Sequence, residues 1–340
     1  MLAGSIKAAD TGVKEKPVNL DKLRNKRKYK SMTDAQIKSA VFRKRLRIKQ
    51  NIPLWVMISI PLLYFLIFCY GPMFGLVMAF QNFRLKDGFF GSEWVGLQNF
   101  KMIFSNPNMV KIIWNTVWLG LLTVLVEFPF PIIIAIFLNE IENKHFKKWS
   151  QTILYLPHFF SWVILGGMVI TLFSYGGPIN RLLEMLGHEK IGFLINQNSW
   201  IAVFLGSGVW KEMGYGAIIY LAALTSIDPG LYEAAKVDGA NKWKQITRIT
   251  LPCLMPTIIL MFILSIGKVT SVGFDKIYVL RNDAVYDVSN VVSVFSYEFG
   301  ARKGNFSIAT AMGLFDSVVS LILVMFTNHL AKRTDSGGLF

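Results

Sequence analysis

Residues 51–83 are a run of 33 positions without a Lys, Arg, Asp or Glu. About 20 apolar residues suffice for a helix to cross the hydrocarbon core of a bilayer, so this one stretch commits the chain to lipid before anything else is read. Five more stretches share its character, at 112–138, 149–175, 200–227, 254–274 and 306–330, and Trp, Tyr, Lys or Arg stand near their ends, as interfacial anchoring requires. Composition agrees: 53% of the residues are hydrophobic and the mean hydropathy is +0.44, while charged residues make up 17%, against about 25% in an average soluble domain. The expected fold class is all-α, a polytopic membrane protein of six transmembrane helices. In the first span (52–83), Gly71-Pro72 is expected to break the helix and leave 73–83 as an oblique continuation.

Charge sets the orientation. The formal net charge is +15, and residues 1–50 alone carry 15 Lys+Arg against Asp10, Glu15, Asp21 and Asp34. With six spans, one side of the membrane holds 24 Lys+Arg and the other 10, which puts both termini in the cytoplasm. The basic tail 1–50 reads as disordered and held near anionic headgroups, 51–334 as the membrane domain, and 335–340 as a short C-terminal tail. No nucleic-acid-binding motif accompanies the charge. No apolar h-region follows within the first 30 residues, so a cleaved signal is not expected. Cys69 and Cys253 lie in or beside apolar stretches and make no disulfide framework. On the outer side, Ile179, Leu182, Leu183 and Leu186 pattern a short amphipathic helix ended by Gly187, and 275–305 reads as an irregular loop.

The most informative loop is 228–252, between the fourth and fifth spans and on the cytoplasmic side. Asp228 is a good N-cap, and Pro229 fits the first helical position. Gly239 supplies a left-handed or tightly packed break, and Asn241 caps a second helix. That helix has Trp243, Ile246, Ile249 and Thr250 on one side and is stopped by Pro252 before span five. Such a loop is a stiff bracket. Its small residues let another backbone approach closely, and Glu233, Lys236, Asp238 and Lys242 on its rim fix register.

The run Glu233-Ala234-Ala235, three residues, Gly239, nine residues, Ile249, one residue, Leu251-Pro252 resembles the EAA motif of permease subunits from binding-protein-dependent ABC importers. Four further segments resemble the LplB-like branch of the carbohydrate-uptake permeases. They are Trp94-Val95-Gly96-Leu97-Gln98-Asn99-Phe100, Leu154-Tyr155-Leu156-Pro157-His158, Trp210-Lys211-Glu212-Met213-Gly214-Tyr215 and Val272-Gly273-Phe274-Asp275. The resemblance implies the type I ABC importer permease fold and a non-enzymatic subunit of the cell membrane that forms half of a translocation path. Its coupling residues are then Glu233, Ala234, Ala235, Asp238, Gly239, Ala240, Ile249, Leu251 and Pro252, seated in a cleft of a cytoplasmic ATPase. Implied partners are a second, homologous permease in a heterodimer, an ABC ATPase dimer, an extracellular solute-binding protein and an oligosaccharide solute. The chain itself has no G-x-x-x-x-G-K-[ST] phosphate loop, so ATP and Mg belong to the ATPase. No cofactor or metal is expected on this chain, since it lacks HExxH and paired-cysteine motifs.

Polar groups at membrane depth are costly and face a bundle interior or a cavity. Candidates for the solute path are Asn115, Glu127, His158, Trp162, Lys211, Glu212, Tyr215 and Asp316. The competing structural role is a network, for instance Lys211 paired with Glu127 or Asp316. Lys211 favours an anionic sugar, whereas the three carboxylates argue the other way. The alternative function is an ion-coupled secondary sugar transporter, with Glu127, Asp316 and Lys211 as its coupling groups.

Overall fold

The structure, a computed structural model, describes residues 33–270 and 273–332. The expectations for most of the basic tail (1–32) and for 335–340 lie outside these residues. The chain divides between Phe74 and Gly75 into two compact units.

In the first unit, helix α1 (Asp34–Tyr64) is followed by a π-helical turn (Phe65–Tyr70). Its start corrects the expectation of disorder up to residue 50. Thr33 and Gln36 form a capping box, with the Thr33 N–H donating to Gln36 Oε1 at 2.9 Å. The Ala, Lys and Arg of its next turns are good helix formers. Apolar side chains from Ile52 to Tyr70 are exposed, as a lipid-facing helix demands. Gly71-Pro72 does not break the helix either. It marks a change to 3₁₀ winding over Gly71–Phe80, and in the first turn of a new helix the missing N–H of Pro72 forfeits no bond.

In the second unit a two-residue ladder pairs β1 (Gln81–Asn82) with β2 (Glu93–Trp94), the one departure from all-helical structure among the described residues. Span two is a pair, α2 (Pro107–Glu127) and α3 (Pro129–Glu140), jointed where Phe128 precedes Pro129. Span three is broken too: α4 (Lys144–Tyr155) ends in a 3₁₀ turn at Leu156–Phe159, and Ser161 caps α5 (Trp162–Phe173). The expected amphipathic helix is α6 (Pro178–Met185), followed by Gly187 at φ 80°. Then come α7 (Gln197–Leu224), α8 (Pro229–Val237), α9 (Lys242–Gln245), α10 (Leu251–Ile266), α11 (Phe274–Leu280) and α12 (Phe306–Lys332).

Among the described residues, five segments are long and apolar enough to cross a membrane: Asn51–Phe80, Pro107–Glu140, Trp162–Met185, Lys242–Ile266 and Phe306–Lys332. The remaining expected span is α7, and its position explains its weaker hydropathy. It runs through the centre of the bundle, buries Trp200, Phe204, Lys211, Ala217 and Tyr220 among others, and has little need of a lipid-facing surface. One core cluster surrounds Trp200 and Phe204 with Leu119, Leu165, Ile277 and Leu280, and another joins Ala217, Tyr220 and Leu224 to Ala135 and Leu254. Small residues let the helices meet closely. A Cβ on Gly214 would overlap the Leu154 carbonyl, and one on Gly208 would overlap Glu127 Oε1 and Lys276 Nζ.

The segment 275–305 is not a peripheral loop. Its first part, α11, is in the core, with Ile277 fully buried and Leu280 O accepting the Trp200 indole N–H at 2.8 Å. Val285, Val291 and Val294 join the same core.

Candidate functional site

The break in span three builds the centre of the site. Where the chain leaves helical winding at Pro157–Ser161, carbonyls lose their intrahelical partners. Lys211, at 6% exposure, donates to two of them, His158 O and Phe160 O, both at 2.7 Å. Lys211 therefore does not pair with Glu127 or Asp316, correcting that expectation: an ammonium aimed at backbone acceptors beside it gives up no second buried charge.

Glu127 instead accepts a hydrogen bond from Lys276 at 2.7 Å, with the two side chains 18% and 6% exposed. The same ammonium lies 3.8 Å from the centroid of the Phe204 ring and 5.3 Å from that of Trp162. Sequence reasoning missed Lys276 because 275–305 has the pattern of an outer loop. The signal available was the adjoining Gly273-Phe274-Asp275.

A cavity of about 490 Å³ opens beside this pair, and Glu127, His158, Glu212, Tyr215 and Lys268 are among its lining residues. His158 Nδ1 lies 3.0 Å from Glu212 Oε2, and its ring stacks on Tyr215 at 3.8 Å with an interplanar angle of 2°. Four of the eight candidates for the solute path thus come together. The other four do not line this cavity. Lys211 closes the helix break. Trp162 faces the Lys211 and Lys276 ammoniums. Asn115 donates to the Asp287 and Asn290 carbonyls at 2.7 and 3.2 Å. Asp316 stands outside the cavity lining.

The loop 228–252 is built as a rigid unit. Asp228 Oδ1 accepts the Gly230 N–H at 2.9 Å to start α8. At its end Gly239 takes φ 74°, and the Ala240 N–H donates to Ala235 O at 2.9 Å, closing a Schellman turn. Asn241 caps α9 by accepting the Lys244 N–H, and Gln245 Nε2 donates to Ala240 O, each at 2.9 Å. Tyr232 Oη and Thr250 Oγ1, 3.0 Å apart, tie α8 to the winding between α9 and α10. Pro252 does not stop the second helix. A π-helical turn at Ile246–Thr250 absorbs it, and α9 and α10 form one helical rod from Lys242 to Ile266. Thr250 is buried, whereas Trp243 is 72% exposed. Glu233, Ala234, Asp238 and Gly239 are exposed; Ala235, Ala240, Ile249 and Leu251 are half-buried.

Comparison with known proteins bears on this pairing of a polar cavity with a stiff exposed loop. The family described as "Binding-protein-dependent transport system inner membrane component" matches residues 128–336, which include the loop and most of the cavity lining. The chain is 42% identical over 310 residues to the polygalacturonan/rhamnogalacturonan transport system permease protein YteP of Bacillus subtilis, covering 90% of this chain and 97% of YteP. It is 39% identical over 294 residues to protein LplB of the same organism, covering 86% of this chain and 92% of LplB. It also matches, at TM-score 0.79 and 39% identity, a chain in the crystal structure of a bacterial alginate ABC transporter in complex with alginate pentasaccharide-bound periplasmic protein, covering 86% of this chain and 98% of that one. These likenesses set aside the ion-coupled alternative, in which the buried carboxylates would couple protons or sodium. The broken helices, the internally paired charges and the loop after α7 are parts of a type I ABC permease, and this multi-pass membrane chain belongs to the inner membrane components of binding-protein-dependent ABC transport systems.

Proposed function

We propose that the chain forms half of the translocation path of an ATP-driven importer of polysaccharide-derived oligosaccharides, and that a cytoplasmic ATPase dimer grips it at residues 228–252. The observation that carries this reading is the build of that loop: rigid within, apolar without. Leu231, Val237 and Trp243 are 47%, 89% and 72% exposed on a bracket locked by the Gly239 turn. A set of large apolar side chains held out on a stiff support suits a protein partner.

The same geometry gives a route for the work. The rod Lys242–Ile266 starts in the bracket and carries Met261 and Ser265 at the cavity wall. When the ATPases close around ATP and Mg, displacement of the bracket is transmitted along one helix to the solute path. A second, homologous permease completes the path, giving a heterodimer, and an extracellular solute-binding protein delivers the solute from the other side. Glu127, His158, Glu212 and Tyr215 meet the sugar: the stacked His158–Tyr215 pair offers an aromatic face to ring C–H groups, and the carboxylates offer acceptors to hydroxyls. The relatives named for polygalacturonan/rhamnogalacturonan and alginate support a solute of this class.

Purifying the tagged chain from its native membrane in mild detergent tests the assembly. An ABC ATPase and one sister permease should co-purify in stoichiometric amounts. Recovery of the chain with neither, from membranes active in uptake, would contradict the reading.

A further inference from the structure

A second cavity, of about 310 Å³, opens at the start of span two, the end that the charge count puts outside. Its walls are the first turns of α2 and the segment 286–299, and it shares no lining residue with the first cavity. Lys111, Ile112 and Asn115 line it from one face of α2. The first cavity takes Gly120, Val124 and Glu127, about a third of a turn round that helix.

Asn290 sets this cavity apart. It is 5% exposed, and its side-chain amide has no hydrogen bond among the described residues, yet the amide is not sealed off from the cavity it lines. Asn115, 7% exposed, spends Nδ2 on two carbonyls and keeps Oδ1 unpaired in the same cavity. Amides this deep are costly to leave without partners, so the occupant must bring donors and acceptors together. Charge in the wall is already cancelled, with Lys111 Nζ 2.6 Å from Asp287 Oδ1. Another part of the wall is aromatic: Phe295 and Phe299 stack with centroids 5.0 Å apart, and Tyr286 stands exposed beside Asp287.

Hydroxyls both donate and accept, as amides do, and the C–H faces of a sugar ring suit aromatic surface. An apolar anchor from a protein partner would leave the two amides unpaired, and a charged headgroup would find no free counter-charge. The volume is at the small end for ligand pockets, enough for one ring. We propose that this cavity is a peripheral saccharide site, holding one pyranose unit of an oligosaccharide outside the central path. The site rests on the oligosaccharide reading above and gives a long solute a second point of hold.

The test uses the complete importer in lipid nanodiscs and two hexasaccharides, of galacturonate and of rhamnogalacturonan, each carrying a photoreactive diazirine. Crosslinks are mapped by peptide mass spectrometry. Wild type should be labelled at 106–115 and 286–299 as well as at the central cavity, with unlabelled hexasaccharide competing at both. Asn290→Leu replaces the unpaired amide with an apolar group of similar size, and Tyr286→Ala trims an exposed ring, so both should keep the wild-type melting midpoint. Each should weaken the outer label about tenfold, the loss of one hydrogen bond or ring contact, and leave the central label unchanged. Tyr286→Ala decides the matter if Asn290→Leu fails to fold. A central label without the outer one, an outer label that survives the substitutions, or crosslinks from 286–299 to the binding protein in place of sugar would overturn the inference and leave the oligosaccharide reading standing. Labels at neither cavity would remove both.

Discussion

Lys276→Met should destabilise the chain sharply, and the structure sets the scale. Lys276 and Glu127 meet at 2.7 Å with side chains only 6% and 18% exposed. Methionine fills most of the lysine volume but leaves Glu127 as a buried carboxylate with no counter-charge, which costs about 3–5 kcal/mol when one partner of a buried pair is removed. Loss of the ammonium from the Phe204 face, 3.8 Å from the ring centroid, adds about 1 kcal/mol. At about 2–4 °C per kcal/mol for domains of a few hundred residues, the thermal midpoint in detergent should fall by roughly 8 °C or more. The companion variant decides the cause. Glu127→Gln added to Lys276→Met removes the stranded charge, so the double variant should melt well above Lys276→Met alone. A midpoint for Lys276→Met within about 1 °C of wild type, or a double variant whose loss is simply the sum of the two single losses, would refute the buried-pair argument.

Lys211→Met strands the His158 and Phe160 carbonyls, at about 1–3 kcal/mol for each buried group left unsatisfied. The expected result is a lower melting midpoint together with faster backbone hydrogen exchange around Pro157–Ser161, and unchanged exchange there would count against the capping role. Gly208→Val forces side-chain atoms into the space of Glu127 and Lys276, so folded protein recoverable from membranes should drop severalfold, read by size-exclusion profile. Trp200→Phe keeps a six-membered aromatic ring but loses the fused pyrrole ring and its N–H bond to Leu280 O at a fully buried site, and should cost at least about 1–2 kcal/mol by the same thermal assay. Outside the membrane segments, the hydrogen bond from Arg281 holds the Glu298 carboxyl below its ordinary pKa, while Glu298 raises that of Arg281. A depressed carboxyl stabilises above its unfolded pKa and loses that contribution as pH falls through the folded value. Acidification through and below the usual carboxylate range should therefore lower the wild-type midpoint more than that of Glu298→Gln, and parallel pH profiles would contradict this.

Residue order alone discloses whatever depends on local pattern. The uncharged run 51–83, the apolar stretches after it and the Asp228, Pro229, Gly239 and Asn241 signals all act within a few residues of themselves, and the loop 228–252 has the caps and turn they specify. Pairing across the bundle could not be read the same way. Lys211 went to backbone carbonyls because a break at Pro157 placed two of them beside it, and Glu127 went to Lys276, 149 positions away. Two further local signals are legible in the residues: Thr33 with Gln36, which starts α1 inside the basic tail, and Pro157 with Ser161, which divides span three. Pro252 misled for a physical reason, since a π-helical turn supplies the extra residue that lets a helix pass a proline.

The side and the occupancy of the 228–252 bracket carry the whole account, and cysteine labelling reads both. In a Cys69→Ser, Cys253→Ser background, Val237→Cys places a thiol at a position that is 89% exposed. A membrane-impermeant maleimide should fail to label it in intact cells, label it in opened membranes lacking the ATPase, and be blocked when the ATPase is present. Labelling from outside intact cells, or equal labelling with and without the ATPase, would contradict the account.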